Sequence, residues 1–203
     1  MCLKKVYIAS SRDIGDRCLS YAENNMPEGY VLTNVMNDCD IFISVMYDTL
    51  LKKSFLQGRK CYNFHPGILP YYRGSGAFSW SIINEEPKTG ITLHEIDEDI
   101  DTGPIICIKD FEISDDATAY DLFLKGMECI YDMFVEKFET ILKGDYNSQK
   151  LPKLKSSLYT RKKMDQTKDI TKLVRALTFP NKEGLYYYTS DGRKIYLESF
   201  KEY

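Results

Sequence analysis

Short apolar runs alternate with amphipathic stretches along the first third of the chain. Residues 5–9 and 39–45 are mostly apolar, and the second run is rich in Ile and Val, as expected for buried parallel strands. Between them, residues 14–25 carry apolar side chains at helical spacing, which predicts an amphipathic helix. Further elements are predicted as a weaker strand at 30–35, a short helix at 50–57 closed by Gly58, and a strand at 60–64.

The later part of the chain predicts two more strands, one long helix and a small tail. The predicted elements are a helix at 75–84, strands at 90–96 and 104–113, a lysine-rich connector at 145–165, a helix at 169–178 and a β-hairpin at 185–200 around Ser190-Asp191-Gly192. Ser114, Asp115 and Asp116 are predicted to cap the long helix. Apolar residues at every third or fourth position carry that helix to about Lys143, and Gly144 ends it.

This order of elements predicts an α/β fold, with a Rossmann-like, mostly parallel sheet, flanking helices, and a small C-terminal helix and β-hairpin. A length of 203 residues fits one domain with an appendage. We therefore divide the chain into a main domain at residues 1–150 and a C-terminal extension at 151–203. No G-x-G-x-x-G follows the first strand, and this gives dinucleotide binding little support.

Composition and charge exclude several classes of protein. Hydrophobic content of 43% and charged content of 28% are ordinary for a globular protein. The net charge of −3 argues against a nucleic-acid-binding surface. The six cysteines form no C-x-x-C pair, so no metal site is expected. No signal peptide and no apolar run of about 20 residues is found, which predicts a cytoplasmic protein without a membrane span.

Two polar clusters lie in the stretch of residues 61–106. The first is Asn63-Phe64-His65-Pro66, and the second is the acidic run of residues 97–104. Asn63 and His65 are two positions apart, so on a strand they point to the same side. Both clusters end at Pro or Gly-Pro, which places them where strands give way to loops. Because strand ends are common positions for sites in α/β sheets, we predict that the two clusters converge.

Asn63, His65 and Asp101 offer complementary chemistry. An amide donates a hydrogen bond to a developing oxyanion, an imidazole accepts a proton near neutral pH, and a carboxylate orients that imidazole. None of the three is a good nucleophile, so together they suit direct attack of an amine on a carbonyl. Two alternatives stay open: His65 as a loop hydrogen-bond partner, and the acidic run as a solvated turn or weak cation site. His94, in an alternating strand, is interpreted as structural.

Three segments carry a family resemblance: N-F-H-P-G-I-L-P-Y-Y-R-G from Asn63, T-G-I-T-L-H-E-I-D from Thr89, and D-I-D-T-G-P-I-I from Asp99. They closely resemble the formyltransferases that use 10-formyltetrahydrofolate. The resemblance implies the formyltransferase fold and makes Asn63, His65 and Asp101 the catalytic trio. It implies that the folate lies between two loops, with contacts from Met46, Tyr47, Asp48 and Leu50 on one side and from Ile96, Asp97 and Glu98 on the other. No metal is implied.

The tail resembles one branch of this family. L-Y-T-R-K-K from Leu158, followed by D-I-T-K-L-V-R-A-L-T-F-P from Asp169 and by the hairpin, is similar to the sugar-nucleotide N-formyltransferases. That branch implies formyl transfer to the amine of a dTDP- or UDP-linked amino sugar, of the 4-amino-4,6-dideoxyhexose type. The candidate contacts for this substrate are Tyr71, Arg73, Gly74, Trp80, Arg175, Phe179 and Tyr186. For the last three, plain packing is the alternative.

Two departures from the family pattern leave other functions open. Asn63 comes earlier than the corresponding asparagine usually does, so we expect a shortened N-terminal part that lacks a βα unit between residues 24 and 39. Asp48 replaces a basic residue found in some relatives. The alternatives are a glycinamide ribonucleotide formyltransferase-like enzyme, a formyltetrahydrofolate hydrolase and a degenerate folate-binding subunit. A homodimer through the tyrosine-rich hairpin is also predicted.

Overall fold

A computed structural model describes residues 3–150, 158–160, 164, 169–180, 184–189 and 191–197. The main domain carries strands β1 (Lys4–Ala9), β2 (Tyr30–Leu32), β3 (Ile41–Val45), β4 (Lys60–His65), β5 (Arg73–Gly74), β6 (Lys88–Glu95) and β7 (Ile105–Glu112). Its helices are α1 (Ile14–Asn24), α2 (Lys53–Leu56), α3 (Ala77–Ile83) and α4 (Ala119–Lys143). The C-terminal part adds β8 (Leu158–Tyr159), α5 (Ile170–Leu177), β9 (Leu185–Tyr188) and β10 (Lys194–Leu197).

Among the described residues, the central sheet has six strands in the order β2-β1-β3-β4-β6-β7. The pairings among β2, β1, β3 and β4 are parallel, and β6 and β7 join in antiparallel fashion. Every residue of β3 is buried, because a parallel strand in the middle of the sheet is covered on both faces. The predicted α/β fold with a mostly parallel sheet is confirmed.

Two apolar layers cover this sheet. On one face, α1, α3 and α4 pack against side chains such as Val6, Ile43 and Phe64. On the other face, Phe42 lies in a smaller cluster with Phe55 of α2. The carboxyl ends of β3 and β4 emerge between these layers, and the loops that follow them are free to form a site.

Several predicted boundaries are wrong. The helix predicted at 50–57 begins only at Lys53. Leu50 lies in the loop before it, with 74% of its surface exposed. The strand predicted at 30–35 ends at Leu32, and a 3₁₀ turn follows at Met36–Asp38. The long helix is capped at Thr118 rather than by residues 114–116.

The cap at Thr118 is a capping box. The Thr118 hydroxyl accepts a hydrogen bond from the Asp121 backbone N–H, while the Asp121 carboxylate accepts from the Thr118 backbone N–H at 2.9 Å. This reciprocal pair satisfies two helix N-terminal donors. At the other end, Gly144 adopts φ +74°, the left-handed conformation that glycine tolerates, and it ends α4 as predicted.

The C-terminal part packs onto the main domain. β8 adds a parallel partner to β5, α5 contacts α3 and α4, and β9 pairs with β10 from Leu185↔Leu197 to Tyr188↔Lys194. Ser190 and residues 198–200 of the predicted hairpin, together with much of the predicted connector, lie outside the described residues. The division at residue 150 stays a prediction. Within the described part of the chain, no helix is long and apolar enough to cross a membrane.

Candidate active site

The two predicted clusters meet at the carboxyl end of β4. Asn63 and His65 alternate along β4 with the core residue Phe64, so both side chains leave the same face of the strand. Asp101 returns to them from the loop between β6 and β7. Its Oδ1 lies 3.5 Å from Asn63 Nδ2, and its Oδ2 lies 3.5 Å from His65 Nδ1. The predicted convergence is therefore present in the structure.

Asp101 is held as a buried carboxylate. Only 13% of its side chain is exposed, and the backbone N–H of Gly74 donates to its Oδ2 at 2.8 Å. Burial by itself would raise the Asp101 pKa, but the two neighbouring imidazoles and the Gly74 hydrogen bond together lower it well below its usual range. Asp101 also adopts φ +50°, a left-handed conformation that aspartate tolerates better than most residues. A backbone conformation of this kind is common where a side chain must be aimed at a site.

His65 is oriented by a backbone carbonyl. Its side chain is 3% exposed, and its Nε2 lies 2.6 Å from the carbonyl oxygen of Tyr72. Because a carbonyl only accepts, Nε2 carries the proton in the neutral imidazole, and Nδ1, 3.5 Å from Asp101 Oδ2, is the unprotonated nitrogen. Burial lowers the pKa of His65, and the Asp101 carboxylate opposes part of that effect. The imidazole is therefore neutral near pH 7, with Nδ1 available to accept a proton.

His94 belongs to the same cluster, although the sequence interpretation made it structural. Antiparallel pairing of β4 with β6 sets His94 directly opposite Asn63. Its Nδ1 lies 2.7 Å from the Glu95 carbonyl oxygen and carries the proton, so its Nε2 accepts a hydrogen bond from Asn63 Nδ2 at 3.2 Å. His94 Nε2 also lies 3.6 Å from Asp101 Oδ1. His94 thus fixes which way the Asn63 amide faces.

The acidic loop of residues 96–104 is tied to itself and to the sheet. Asp97 Oδ1 accepts from the Thr102 hydroxyl at 2.5 Å, so this carboxylate organises the loop. Gly103 passes so close to β6 that a Cβ atom there would lie 1.8 Å from the Glu95 carbonyl oxygen. Across the mouth of the site, Glu98 pairs with Lys53 of α2. Among the described residues, no group of three or more His, Cys, Asp or Glu side chains is arranged to hold a metal ion.

A cavity of about 1120 Å³ surrounds the cluster. All of the residues predicted to contact folate line it: Met46, Tyr47, Asp48, Leu50, Ile96, Asp97 and Glu98. Met46 has φ +57°, which turns the chain sharply out of β3. Asp48 pairs with Arg12 at 3.3 Å, and Arg12 also lines the cavity. Both loops therefore line the cavity, and their role in binding stays a prediction.

The predicted sugar-nucleotide contacts are distributed differently. Gly74 and Phe179 line the cavity. Two of the others are used inside the protein, since Arg175 donates to the carbonyl oxygens of Ala117 and Ser114, and Trp80 is 8% exposed. Of the remaining three, Arg73 donates to the Ile100 carbonyl oxygen, while Tyr71 is 60% exposed and Tyr186 in the hairpin is 37% exposed. Apart from Gly74 and Phe179, none of the predicted sugar-nucleotide contacts lines the cavity.

Other lining residues carried no sequence signal. The wall formed by α4 and the C-terminal part is apolar and aromatic; it includes Phe123, Leu124, Met127, Tyr159 and Met164. In the sequence, the residues of α4 among these belong to a helical stripe, which indicates core packing rather than a site. Their position beside the cavity depends on how the C-terminal part docks, and spacing along the chain does not encode that.

Comparisons with known proteins identify the family of this chain. The family model described as formyl transferase matches residues 21–137, which is more than half of the chain. The chain belongs to the formyl transferase family. This confirms the family resemblance and the prediction of a formyltransferase enzyme.

Individual relatives of this formyltransferase come from several bacteria. The dTDP-4-amino-4,6-dideoxyglucose formyltransferase of Mycobacterium tuberculosis is 26% identical over 177 residues, covering 82% of this chain and 75% of the relative. The GDP-perosamine N-formyltransferase of Brucella melitensis is 31% identical over 154 residues, covering 70% of this chain and 58% of the relative.

Solved structures show the same fold. A sugar N-formyltransferase from Shewanella superimposes with a TM-score of 0.82 at 20% identity, covering 98% of each chain. An N-formyltransferase from Helicobacter canadensis, solved in complex with folinic acid and dTDP-3-aminofucose, superimposes with a TM-score of 0.70 at 21% identity, covering 88% of this chain and 81% of that one.

Proposed function

We propose that this formyltransferase transfers the formyl group of 10-formyltetrahydrofolate to the amine of a nucleotide-linked amino sugar. The observation that carries the proposal is the buried arrangement of a neutral His65 beside an ionised Asp101 and the Asn63 amide, inside a cavity with two differently built walls. The relatives named for dTDP- and GDP-linked amino sugars support the class of acceptor.

The size and walls of the cavity fit two substrates. Sites for a single drug-sized ligand span about 300–1,000 Å³, and this cavity reaches about 1120 Å³. The loops around Met46 and Ile96 would hold the folate on one side. The aromatic wall with Phe123 and Phe179 would face the nucleotide sugar on the other. Asn63, His65 and Asp101 also line the cavity, and on this proposal they lie where the amine and the formyl carbon must meet.

In the proposed reaction the neutral amine attacks the formyl carbon and a C–N bond forms. Asn63 donates a hydrogen bond to the formyl oxygen as it gains negative charge. Nδ1 of His65 accepts the proton that the amine loses, and Asp101 stabilises the resulting imidazolium. The bond between the formyl carbon and the folate nitrogen then breaks, and the proton passes to that nitrogen as tetrahydrofolate leaves. Orientation of the two substrates contributes as much as about 7–11 kcal/mol in favourable cases.

The Asn63 amide nitrogen contacts two neighbouring side chains in this structure. One N–H bond is directed at His94 at 3.2 Å and the other at Asp101 over a longer 3.5 Å. The reversed amide orientation would set its oxygen against the Asp101 carboxylate, which is repulsive. The longer contact is the weaker one, so it is the one that a formyl oxygen would replace while the His94 contact holds the amide plane.

The test is formyl transfer from 10-formyltetrahydrofolate to a panel of dTDP-, UDP- and GDP-linked amino sugars, with glycinamide ribonucleotide included. We expect turnover with at least one nucleotide sugar, and loss of turnover in His65→Asn with folate binding retained. Asp132→Asn, an exposed position on α4, is a control for handling and folding.

Other outcomes would assign other functions. Turnover with glycinamide ribonucleotide alone, rapid hydrolysis of the folate without any amine, or tight folate binding with no turnover on any amine would each contradict the proposal. They correspond to the three alternatives raised by the sequence. The homodimer through the hairpin also stays a prediction, and a monomer in light scattering would contradict it.

A further inference from the structure

One short segment of the main domain contacts both members of the His65–Asp101 pair. The Tyr72 carbonyl oxygen lies 2.6 Å from His65 Nε2, and the Gly74 N–H donates to Asp101 Oδ2 at 2.8 Å. Between them, Arg73 Nε donates to the Ile100 carbonyl oxygen at 2.8 Å, next to Asp101 in the chain. Three consecutive residues thus set the tautomer of the imidazole, the direction of the carboxylate and the path of its loop.

This segment is held from outside the main sheet. Residues Arg73 and Gly74 form β5, and within the described residues the strand partner of β5 is β8 of the C-terminal part. Gly74 pairs with Tyr159, and the Ser75 N–H donates to the Tyr159 carbonyl oxygen at 3.2 Å. Gly74 has φ +86°, and a Cβ atom there would lie 2.5 Å from that same oxygen. The two backbones are therefore in close contact where the segment contacts Asp101.

The Tyr159 side chain completes this attachment. Its ring stacks on the Tyr72 ring at 5.2 Å with an interplanar angle of 18°, and it lies 4.8 Å from the Trp80 ring. The Asn84 amide donates to the hydroxyls of both Tyr72 and Tyr159, at 3.0 and 3.3 Å. Aromatic pairs of this kind contribute beyond their buried area, so the ring anchors the residue whose carbonyl oxygen orients His65.

We infer that Tyr159 is a positioning residue for formyl transfer, acting through Tyr72 and Gly74 on His65 and Asp101. The inference rests on the proposed function for its kinetic consequences and on the hydrogen bonds alone for its structural ones. A pair of two-residue strands has little stability of its own, so without the stacked Tyr159 ring the segment would relax. A displacement of about 1 Å in a catalytic group can lower the rate about 100-fold.

Tyr159 also lines the cavity, so direct contact with a substrate is the competing role. The two roles predict different measurements. A substrate contact changes KM and leaves the free enzyme as it was. A positioning role lowers kcat and alters His65 before any substrate binds, because the tautomer of an imidazole is set by the hydrogen bond of its other nitrogen.

The experiment is ¹⁵N NMR of the imidazole nitrogens, combined with kinetics on the acceptor identified by the panel. The chain contains two histidines, so a His94→Gln spectrum assigns both. In wild type we expect a single His65 tautomer with the proton on Nε2. Tyr159→Ala should give a mixture of tautomers and a kcat reduced by up to about 100-fold, with KM unchanged. Tyr159→Phe keeps the stacked ring and should resemble wild type, as should Tyr196→Ala, an exposed ring on the hairpin.

The NMR result decides the inference. An unaltered His65 tautomer in Tyr159→Ala overturns it, even if the rate falls, because the fall then comes from substrate contact. If Tyr159→Ala does not fold, Tyr159→Leu retains bulk without stacking and is judged by the same criterion. The spectrum requires no acceptor. Failure of every amino sugar would therefore refute the proposed function, while the tautomer would still decide the role of Tyr159.

Discussion

Replacing Asp101 by asparagine removes one charge from the cluster while keeping its shape. Asparagine has nearly the same volume, accepts the Gly74 hydrogen bond through its side-chain oxygen, and tolerates the observed φ of +50°. The fold should therefore survive. We expect transfer to be severely impaired, because the proton accepted by His65 would no longer be stabilised by a carboxylate.

The size of the effect follows from the distance. Two unit charges 3.5 Å apart, the separation of His65 Nδ1 and Asp101 Oδ2, interact by about 5 kcal/mol at an effective dielectric constant of about 20. At 1.36 kcal/mol per factor of ten, that is a rate loss of about 5,000-fold if the full charge develops in the transition state. The general range for a proton-transfer group, about 100- to 10,000-fold, includes this value.

Two comparisons separate catalysis from folding. Asp101→Ala should lose as much activity and also unfold more easily, because alanine in a left-handed conformation costs about 1–2 kcal/mol. Asp132→Asn makes the same chemical change at an exposed site and should leave both properties unchanged. The measurements are kcat with the identified acceptor and thermal unfolding of each variant.

His65 provides a direct check on the reasoning. The Asp101 charge raises the His65 pKa against the effect of burial, so Asp101→Asn should make His65 titrate at lower pH in NMR. An asparagine variant with His65 titrating at the same or higher pH, or with a rate within tenfold of wild type, would refute the assigned interaction.

Three further predictions follow from the same geometry. Burial lowers the pKa of His65 below its ordinary value of 6.5, and the neutral imidazole is the base, so kcat/KM should stay level through neutral pH and fall only below pH 6.5. A fall that begins above pH 6.5 would contradict the assignment of His65 as the base. His94→Ala should leave an N–H of Asn63 without an acceptor, which should cost about 1–3 kcal/mol of unfolding free energy and lower kcat. His94→Gln supplies an acceptor and should retain more stability and a higher kcat; equal stability and kcat in the two variants would contradict the role of the hydrogen bond. Gly103→Ala would place Cβ 1.8 Å from a backbone oxygen of β6 and should destabilise the protein by about 1–3 kcal/mol in denaturant unfolding, whereas Gly184→Ala, with open space around it, should not. A Gly103→Ala protein as stable as wild type would show that the loop can shift.

The parts of the site that the sequence predicts are those set by local chemistry. Asn63 and His65 share a face because strands repeat every two residues, and this holds whatever the strand pairs with. The left-handed turn at Asp101 agrees with its position in a loop of acidic residues before Gly103 and Pro104. In the same way, a continuous apolar run is sufficient to predict β3 as a buried strand.

Errors arise where a residue's role depends on a distant partner. His94 in isolation has the alternating pattern of an ordinary strand, and it becomes part of the site only because β4 and β6 pair with Asn63 opposite it. The register that creates this pair is a property of the folded sheet, not of either segment. Without it, a buried histidine in a strand is correctly expected to be structural.

Arg175 and Trp80 illustrate the opposite case, in which a candidate substrate contact has a hydrogen-bond partner inside the protein. Both are candidate contacts for the nucleotide sugar, and Arg175 lies in the tail that resembles the sugar-nucleotide branch. In the folded protein, however, Arg175 donates to carbonyl oxygens just before α4, and the Trp80 indole donates to the Thr160 carbonyl oxygen at 3.3 Å. Both attach the C-terminal part to the main domain. Because Tyr159 lies within this attached part and contacts Tyr72, a segment that resembles the tail of the sugar-nucleotide branch also becomes, on our inference, part of what orients His65.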